Sequence, residues 1–234
     1  GRASAWSAPA RFTMGLLDPD DWRGPWIRNP SATAERHVRF RKSFRLDAPP
    51  SGALAFVASV GYHELYVNGR RADESLALAP ALSRLDRRVL YVTYDIAPLL
   101  KAGENAVAVW TGPGWARYAP FHAAPALRVR IDAALAGGGR ASWSSDASWR
   151  CAESCSANTG TYAAGDRGGE AVDGRLEEPG WTAAGFDDAR WPAAAEAAAR
   201  AGLSARALEP TRVIETVAAA RVSGSGPCVV DLAI

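Results

Sequence analysis

Large apolar and charged side chains alternate along residues 38–46, which read Val38-Arg39-Phe40-Arg41-Lys42-Ser43-Phe44-Arg45-Leu46. The large apolar residues share one parity and the arginines share the other. Successive side chains of a β-strand point to opposite faces, so this period of two is typical of a half-buried strand. The stretch therefore predicts a strand whose apolar face packs in a core and whose arginine face lies in water.

Similar short segments, rich in β-branched and aromatic residues, recur along the chain between glycine and proline residues. They are residues 54–60, 62–67, 89–94, 106–110, 127–131 and 141–143. The dipeptide Asn68-Gly69 favours the type I′ turn of a β-hairpin, because both central positions of that turn need positive φ. Strands do not alternate with long helices, so the sequence predicts an all-β fold. We expect an antiparallel β-sandwich of jelly-roll or galactose-binding-like form with little helix.

Other stretches do not follow this pattern. Residues 151–169 are rich in Ser, Thr, Gly and Ala and predict a long loop. Residues 192–200 are dominated by alanine, so local propensity favours a helix while all-β surroundings favour a strand, and both alternatives are open. Residues 213–217 and 228–230 are expected to form late strands of a following β domain.

Residues 1–34 form an irregular lead-in segment that contains Trp22 and Trp26. We expect it to lie across a larger body and to bury these two rings. Residues 1–9 carry neither the basic nor the apolar region of a signal peptide. The first residue is not Met and residues 229–232 are strand-like, so the chain is expected to be a piece of a longer protein.

The composition excludes several classes of protein. The 27 Lys and Arg residues nearly balance the 25 Asp and Glu residues, for a net charge of +2, and no basic run is interleaved with aromatic residues. This argues against a nucleic-acid partner. No apolar run approaches the roughly 20 residues that span a bilayer, so no membrane association is expected. The hydrophobic share of 48% is that of a globular protein.

The cysteines and histidines indicate no metal site. Cys151 and Cys155 are close in sequence and Cys228 is distant, so at most one disulfide can form within the chain. A structural zinc site needs four ligands, and the chain has only three histidines besides these cysteines. We therefore interpret the thiols as ordinary cysteines. The odd cysteine count leaves the cellular compartment open.

The tryptophans point to a carbohydrate site. Nine tryptophans are present, and Trp115 follows Gly114 in a loop that continues with Arg117 and Tyr118. The apolar face of a sugar stacks on indole while its hydroxyl groups pair with polar groups at the rim. Trp115 is thus the candidate platform, with Arg117 and Tyr118 beside it, although most of the tryptophans are expected to be structural.

Two carboxylates after the expected long loop, Glu170 and Asp173, permit several interpretations. Paired carboxylates hydrolyse glycosides when their spacing admits a nucleophile or a water. Carboxylates also bind calcium, which takes six to eight oxygens, or they cap turns on a solvated surface. All three alternatives are open from the residues alone.

An ordered series of motifs runs through about residues 35–205. The motifs are residues 61–69, 78–80, 88–96, 103–105, 112–115, 146–149, 169–175, 180–181 and 186–191. In this order they resemble the N-terminal β-sandwich domain of bacterial α-L-rhamnosidases, and the lead-in around Phe12, Trp22 and Trp26 is similar to that family as well. Val172 stands where the family usually has an aromatic residue, and Gly174 stands where it usually has alanine.

This resemblance implies a non-catalytic accessory domain at residues 35–208, with residues 209–234 beginning a further, truncated β domain. The acid and base carboxylates of the family would belong to a separate α/α barrel, against which this domain would pack. The resemblance also implies a rhamnose-type sugar as partner, with calcium as a candidate cofactor. Trp115, Arg117 and Tyr118 would provide the platform and donors, and Glu170, Asp173 and Arg175 the polar rim. The alternatives are a purely structural domain and a self-sufficient glycosidase that uses Glu170 and Asp173.

Overall fold

The computed structural model describes residues 4–10, 12–118, 120–161, 165–166, 168–198, 201–224 and 229–231. These residues form fifteen strands and four short 3-10 helices. The strands are β1 (Trp26–Arg28), β2 (Arg36–Leu46), β3 (Gly52–Val60), β4 (Tyr62–Val67), β5 (Arg70–Arg71), β6 (Arg88–Asp95), β7 (Gly103–Gly112), β8 (Ala126–Ala134), β9 (Arg140–Ser144), β10 (Arg150–Thr159), β11 (Gly169–Val172), β12 (Ala195–Ala197), β13 (Gly202–Ala205), β14 (Arg221–Ser223) and β15 (Val229–Asp231). The 3-10 helices are Pro19–Asp21, Ala97–Leu99, Gly114–Arg117 and Gly174–Leu176.

Two large sheets make up the body of the fold. The first, sheet A, has the order β12-β1-β8-β3-β6-β13, with β9 paired to β8. The second, sheet B, has the order β11-β10-β2-β7-β4-β5, and β14 pairs with β15 separately. Among the described strands every pairing is antiparallel except that of β13 with β6. The prediction of an all-β sandwich with little helix is confirmed, while the jelly-roll connectivity stays a prediction.

The core lies between the inward faces of the two sheets. Val38 and Phe40 of β2 are fully buried there, as their parity predicts. They belong to a cluster that includes Val57 of β3 and Val129 and Ile131 of β8. Burial of such side chains contributes roughly 1.5–3 kcal/mol each, so the alternation of apolar residues fixes which face of each strand turns inward.

Two of the three arginines on the outer face of β2 are not in water, so for Arg39 and Arg41 this part of the prediction is wrong, whereas Arg45 is exposed as predicted. Arg39 and Arg41 are each only 1% exposed. Residues 177–191, here called the cover segment, lie over the outer face of sheet B and bury both guanidinium groups. The alternation of inward and outward side chains is as predicted. A segment about 140 residues further along the chain, instead of solvent, covers Arg39 and Arg41.

Arg41 holds the cover segment through its backbone. Its Nε donates to Trp181 O at 3.1 Å, and its two Nη atoms donate to Ala183 O at 2.8 Å and Phe186 O at 3.2 Å. The same guanidinium pairs with the carboxylate of Asp188 and lies 5.4 Å from the Phe186 ring. Every branch of the planar group therefore has a partner in the cover segment.

Arg39 fixes the beginning of the same segment. It forms ion pairs with Glu177 at 2.8 Å and Glu178 at 3.3 Å and lies 5.5 Å from the Trp181 ring. Trp181 and Trp191 of the cover segment are buried together against Ala108 of β7, and Trp191 Nε1 donates to Glu178 at 3.2 Å. The motif at residues 186–191 is thus explained by packing against sheet B.

The prediction of a long loop at residues 151–169 is wrong for residues 151–159, because Arg150–Thr159 forms β10. Residues 162–164 and 167 of that stretch lie outside the described residues. The backbone of β10 pairs with β2, with an irregular register between Glu153 and Ala157. The small polar residues of this stretch have little strand propensity of their own. Pairing with a neighbouring strand decides the conformation instead.

The two later stretches also have definite conformations where they are described. Residues 195–197 form β12 and pair with β1, so the all-β surroundings prevail over the helix propensity of alanine. Residues 213–217 are not a strand, whereas Arg221–Ser223 pairs with Val229–Asp231. Residues 199–200 and Cys228 lie outside the described residues.

Replacing Arg41 tests the role of the buried guanidinium. We expect Arg41→Met to lower the free energy of unfolding by about 3 kcal/mol, because three carbonyl groups and the Asp188 carboxylate lose a buried partner. Urea denaturation measures the change. Arg45→Met is the matched control, since Arg45 is exposed on the same strand, and it should change stability by less than about 0.5 kcal/mol. Equal effects of the two substitutions would contradict this account.

His63 is a buried core residue whose ring is satisfied by neutral groups. One ring nitrogen bonds with Ser59 Oγ at 2.8 Å and the other with Tyr94 OH at 3.0 Å. Burial, with a smaller contribution from the charge of Arg206, lowers the pKa of His63 to about 3. The histidine is therefore neutral in the folded protein at ordinary pH.

The depressed pKa of His63 predicts acid sensitivity. Below about pH 6.5 the unfolded chain binds a proton at this histidine and the folded chain does not, so stability falls as the pH drops towards 3. We expect wild type to lose up to about 1.4 kcal/mol per pH unit more than His63→Gln across this window. Urea unfolding at several pH values measures the difference. If the stability of the two proteins changed with pH in the same way, His63 would be excluded as the source of the acid sensitivity.

Candidate functional site

A groove opens on the outer face of sheet B beside the cover segment. Its volume is about 350 Å³. Its aromatic and polar walls are formed by His37, Tyr62, Glu64, Trp110, Asn158 and Glu170, with Leu78 at one side. We call it the Trp110 groove.

Neighbouring strands place the walls of the groove side by side. Trp110 of β7 lies between Glu64 of β4 and Arg39 of β2 in the strand register. On the other wall, Asn158 of β10 lies opposite Glu170 of β11. Trp110 also packs against the buried tryptophans of the cover segment, so its ring is supported on one side and lines the groove on the other.

Two glycines make room for the rings of the groove. A Cβ at Gly112 would lie 3.1 Å from the His37 ring, and one at Gly114 would lie 2.6 Å from the Tyr62 ring. Gly114 also has a φ of +48°. Side chains at these positions would displace His37 or Tyr62, so the motif at residues 112–115 is needed for the shape of the groove.

The polar groups of the groove are held in defined positions. His37 Nε2 lies 2.5 Å from Asn158 Oδ1, which links β2 to β10. Glu64 accepts hydrogen bonds from the Tyr66 hydroxyl and from Arg71. Burial raises the pKa of Tyr62, so its hydroxyl keeps its proton at neutral pH. The groove therefore presents amide, imidazole and carboxylate groups with defined partners, together with the Tyr62 hydroxyl.

Leu78 is an exposed apolar residue at the edge of this groove. It is 58% exposed and has a φ of +50°. A left-handed conformation costs a non-glycine residue roughly 1–2 kcal/mol, and such strain concentrates at functional sites. The exposed, strained leucine therefore favours the groove as a binding site.

Trp115, the residue predicted to be the sugar-stacking platform, lies next to the Trp110 groove and does not line it. Trp115 is in the 3-10 helix Gly114–Arg117, is 41% exposed, and has its ring 5.7 Å from the ring of Tyr118. Arg117 donates to the backbone carbonyls of Thr159 and Gly160, and its guanidinium lies 5.0 Å from the Tyr118 ring. Its donors are thus directed at the protein backbone.

The three candidate rim residues lie in two places. Glu170 lines the groove. Asp173 and Arg175 form an ion pair at 2.6 Å beside the 3-10 helix Gly174–Leu176, outside the groove lining. Hydrogen bonds from Arg175 lower the pKa of Asp173. The structure therefore gives Glu170 and Asp173 different surroundings.

Sequence reasoning missed His37, Tyr62, Trp110 and Asn158. A signal for Trp110 was present, because it has the parity of Ala106 and Ala108, opposite to the core residues of β7. A large aromatic residue on an outward face is a candidate contact residue. Asn158 could not be found in this way, since its stretch predicts a loop.

The described residues contain no group of three or more His, Cys, Asp or Glu side chains that could hold a metal ion. Calcium takes six to eight oxygens, and in the Trp110 groove Glu64 is already paired with Arg71. Calcium therefore does not fit the groove residues. Cys151 and Cys155 are buried free thiols, and burial raises the pKa of Cys151 to about 11.

A larger cleft of about 990 Å³ lies on the outer face of sheet A. Its described lining, with residues such as Gly52, Leu54 and Ala134, includes no aromatic side chain. Its Arg130 is paired with Asp132 at 2.8 Å. The described lining of this cleft thus offers no aromatic ring on which a sugar could stack.

Within the described part of the chain, no helix has the length and apolar character needed to cross a membrane.

Comparisons with known proteins place this architecture in a family. The family model of the α-L-rhamnosidase N-terminal domain matches residues 48–215. An α-L-rhamnosidase of Formosa agariphila is 29% identical over 83% of this chain, which spans 24% of that protein.

Two solved structures are similar as well. The α-L-rhamnosidase of Dictyoglomus thermophilum superposes with a TM-score of 0.77 and 26% identity over 93% of this chain and 26% of its own. That of Streptomyces avermitilis, in complex with L-rhamnose, gives a TM-score of 0.71 and 30% identity over 85% of this chain and 20% of its own. The chain thus spans about a quarter or less of these relatives. Because the family model matches well over half of its residues, this chain belongs to the α-L-rhamnosidase N-terminal domain family.

Proposed function

We propose that this chain is a non-catalytic accessory domain of a longer α-L-rhamnosidase and that the Trp110 groove binds a rhamnose-type sugar. The observation that carries the proposal is the groove itself, in which Trp110 and Tyr62 stand among fixed polar groups. Its volume of about 350 Å³ is at the lower end of the range of small-ligand pockets, which suits one or two sugar rings.

The chemistry of the groove matches that of a deoxy sugar. The carbon-bound hydrogens of a sugar ring pack against an aromatic face, and its hydroxyl groups pair with carboxylate, amide and imidazole groups. Glu170, Asn158 and His37 provide these partners. Rhamnose carries a methyl group where most hexoses carry a hydroxymethyl group, and the exposed Leu78 offers that methyl an apolar contact.

The arrangement of carboxylates supports binding without hydrolysis. Glycoside hydrolysis requires a carboxylic acid to protonate the leaving group and a second carboxylate to act as base or nucleophile. Glu64 is committed to Arg71 and the Tyr66 hydroxyl, and Asp173 to Arg175. Both carboxylates are thus already engaged by partners of their own, although Glu64 lines the same groove as Glu170.

Exposed apolar residues support packing of this domain against the rest of a longer polypeptide. Trp6, Phe12 and Leu17 of the lead-in are largely exposed, as is Ile214 near the other end. Several such residues in one segment are typical of an interaction surface. The relatives are about four times longer than the matched region, so a catalytic domain of the same polypeptide is the proposed partner.

Calorimetric titration with L-rhamnose tests the sugar site. We expect wild type to bind equally in calcium and in chelator, and Trp110→Ala and Glu170→Gln each to weaken binding about tenfold or more by removing a stacking surface or a charged hydrogen-bond acceptor. Arg175→Ala is the matched control, since its side chain pairs with Asp173 outside the groove, and its affinity should equal that of wild type. No heat from wild type in either buffer would leave a purely structural role.

An activity assay tests the non-catalytic role. The purified chain should release no nitrophenol from 4-nitrophenyl α-L-rhamnoside above the buffer rate, because the other two candidate carboxylates, Glu64 and Asp173, are already engaged by arginines. Turnover that is abolished by Glu170→Gln would instead support a self-sufficient glycosidase.

A further inference from the structure

We propose that Arg117 is a positioning residue that fastens the β10–β11 hairpin to the Trp110 wall of the groove. This inference rests on the proposed function of the groove as a sugar site. It replaces the interpretation of Arg117 as a direct donor to the sugar.

Arg117 connects the two walls of the groove. It lies at the end of the 3-10 helix Gly114–Arg117, which directly follows the strand that carries Trp110. Its Nη1 donates to Thr159 O at 3.3 Å and its Nη2 to Gly160 O at 2.7 Å. The guanidinium also lies 5.0 Å from the Tyr118 ring, so its orientation is fixed from a second side.

The fastened backbone carries the opposite wall directly. Thr159 follows Asn158, and in the strand register these two residues lie opposite Gly169 and Glu170. A displacement at Thr159 would therefore move both Asn158 and Glu170 relative to Trp110. Because hydrogen bonds from a ligand depend steeply on distance and angle, such a displacement would weaken binding without any loss of a sugar contact.

The hairpin needs this support because it lies at the edge of sheet B. Among the described strands, β11 pairs with β10 alone, and its four residues are exposed. An edge strand with few buried apolar contacts opens locally at a low free-energy cost. The Arg117 contacts tie it to the body of the domain next to the site.

The two described ends of the connection between β10 and β11 are bonded to each other. Asp166 accepts hydrogen bonds from the backbone nitrogen of Thr161 at 2.6 Å and of Gly168 at 3.0 Å. These bonds, with the charge of Arg117 as a smaller cause, lower the pKa of Asp166. Gly160 has a φ of +67°, and a Cβ there would lie 2.6 Å from Gly168 Cα, so these two glycines approach closely.

A guanidinium is suited to this role in a way that an ammonium is not. Two adjacent carbonyl groups accept from two different nitrogens of one planar fork, which also stacks on an aromatic ring. Lysine has a single nitrogen at the end of a flexible chain. It would reach one carbonyl and would restore only part of the restraint.

Two measurements on Arg117→Ala, Arg117→Lys and wild type test the proposal. Hydrogen exchange without sugar should become at least fivefold faster within residues 156–161 and 168–172 in Arg117→Ala, while residues 38–46 and the urea midpoint stay unchanged. Affinity for L-rhamnose should fall about fivefold to tenfold. Arg117→Lys should be intermediate in both measurements, and Arg175→Ala, on the nearby 3-10 helix, should match wild type in both.

Each other outcome has a definite meaning. Wild-type exchange in the hairpin of Arg117→Ala would overturn the positioning role, even if sugar affinity fell, because Arg117 would then contact the sugar itself. Faster exchange with unchanged affinity would also overturn it, since the hairpin would not be a wall of the site. Failure of wild type to bind rhamnose would overturn the proposed function, whereas the exchange data would still report whether Arg117 holds the hairpin.

Discussion

The buried guanidinium of Arg41 is the constraint on which the outer face of sheet B depends. It binds three carbonyl groups and one carboxylate of the cover segment, and each of these polar groups would be costly to bury alone. The segment between residues 181 and 188 therefore has one conformation in which all partners are satisfied at once. Trp181 and Phe186 are brought onto the sheet by the same contacts, so apolar packing and charge pairing favour the same arrangement.

The position of the Trp110 groove follows from this cover. The cover segment closes the outer face of sheet B at the rows of Arg41 and Arg39, and it supports one side of Trp110. The next residues along these strands, His37 of β2 and Tyr62 of β4, are not covered. Gly112 of β7 lies between them and has no side chain to fill the space. A groove is thus formed where the cover ends, and its aromatic wall is rigid because it is packed from behind.

The sequence allowed the strands of the core to be predicted, but not what covers the sheets. The parity of Val38 and Phe40 was enough to place them inside, because a strand buries one face wherever a core exists. The same alternation could not predict that Arg41 contacts a distant segment of the protein, since it shows only which residues are polar and not which neighbour each residue contacts. β10 was missed for a related reason, because its Ser and Ala residues have little strand propensity of their own and β10 is held by pairing with β2 and β11. Of the candidate site residues, Glu170 alone lines the groove, while Arg117 borders it through the backbone.

Arginine side chains hold the protein backbone in place at two sites of this domain. Replacement of a buried ion pair by apolar groups is often neutral or stabilising, so stability alone does not explain why Arg39 and Arg41 lie beneath a cover of aromatic residues. An apolar side chain at position 41 would allow the cover segment to slide, because apolar contacts have little direction, whereas a guanidinium with fixed partners allows one register. Arg117 applies the same chemistry to two carbonyl groups of the β10–β11 hairpin. In both places an arginine binds backbone carbonyl groups of a segment far from it in sequence. Trp110, which packs against the cover segment, and Asn158 and Glu170 of the hairpin line the same groove.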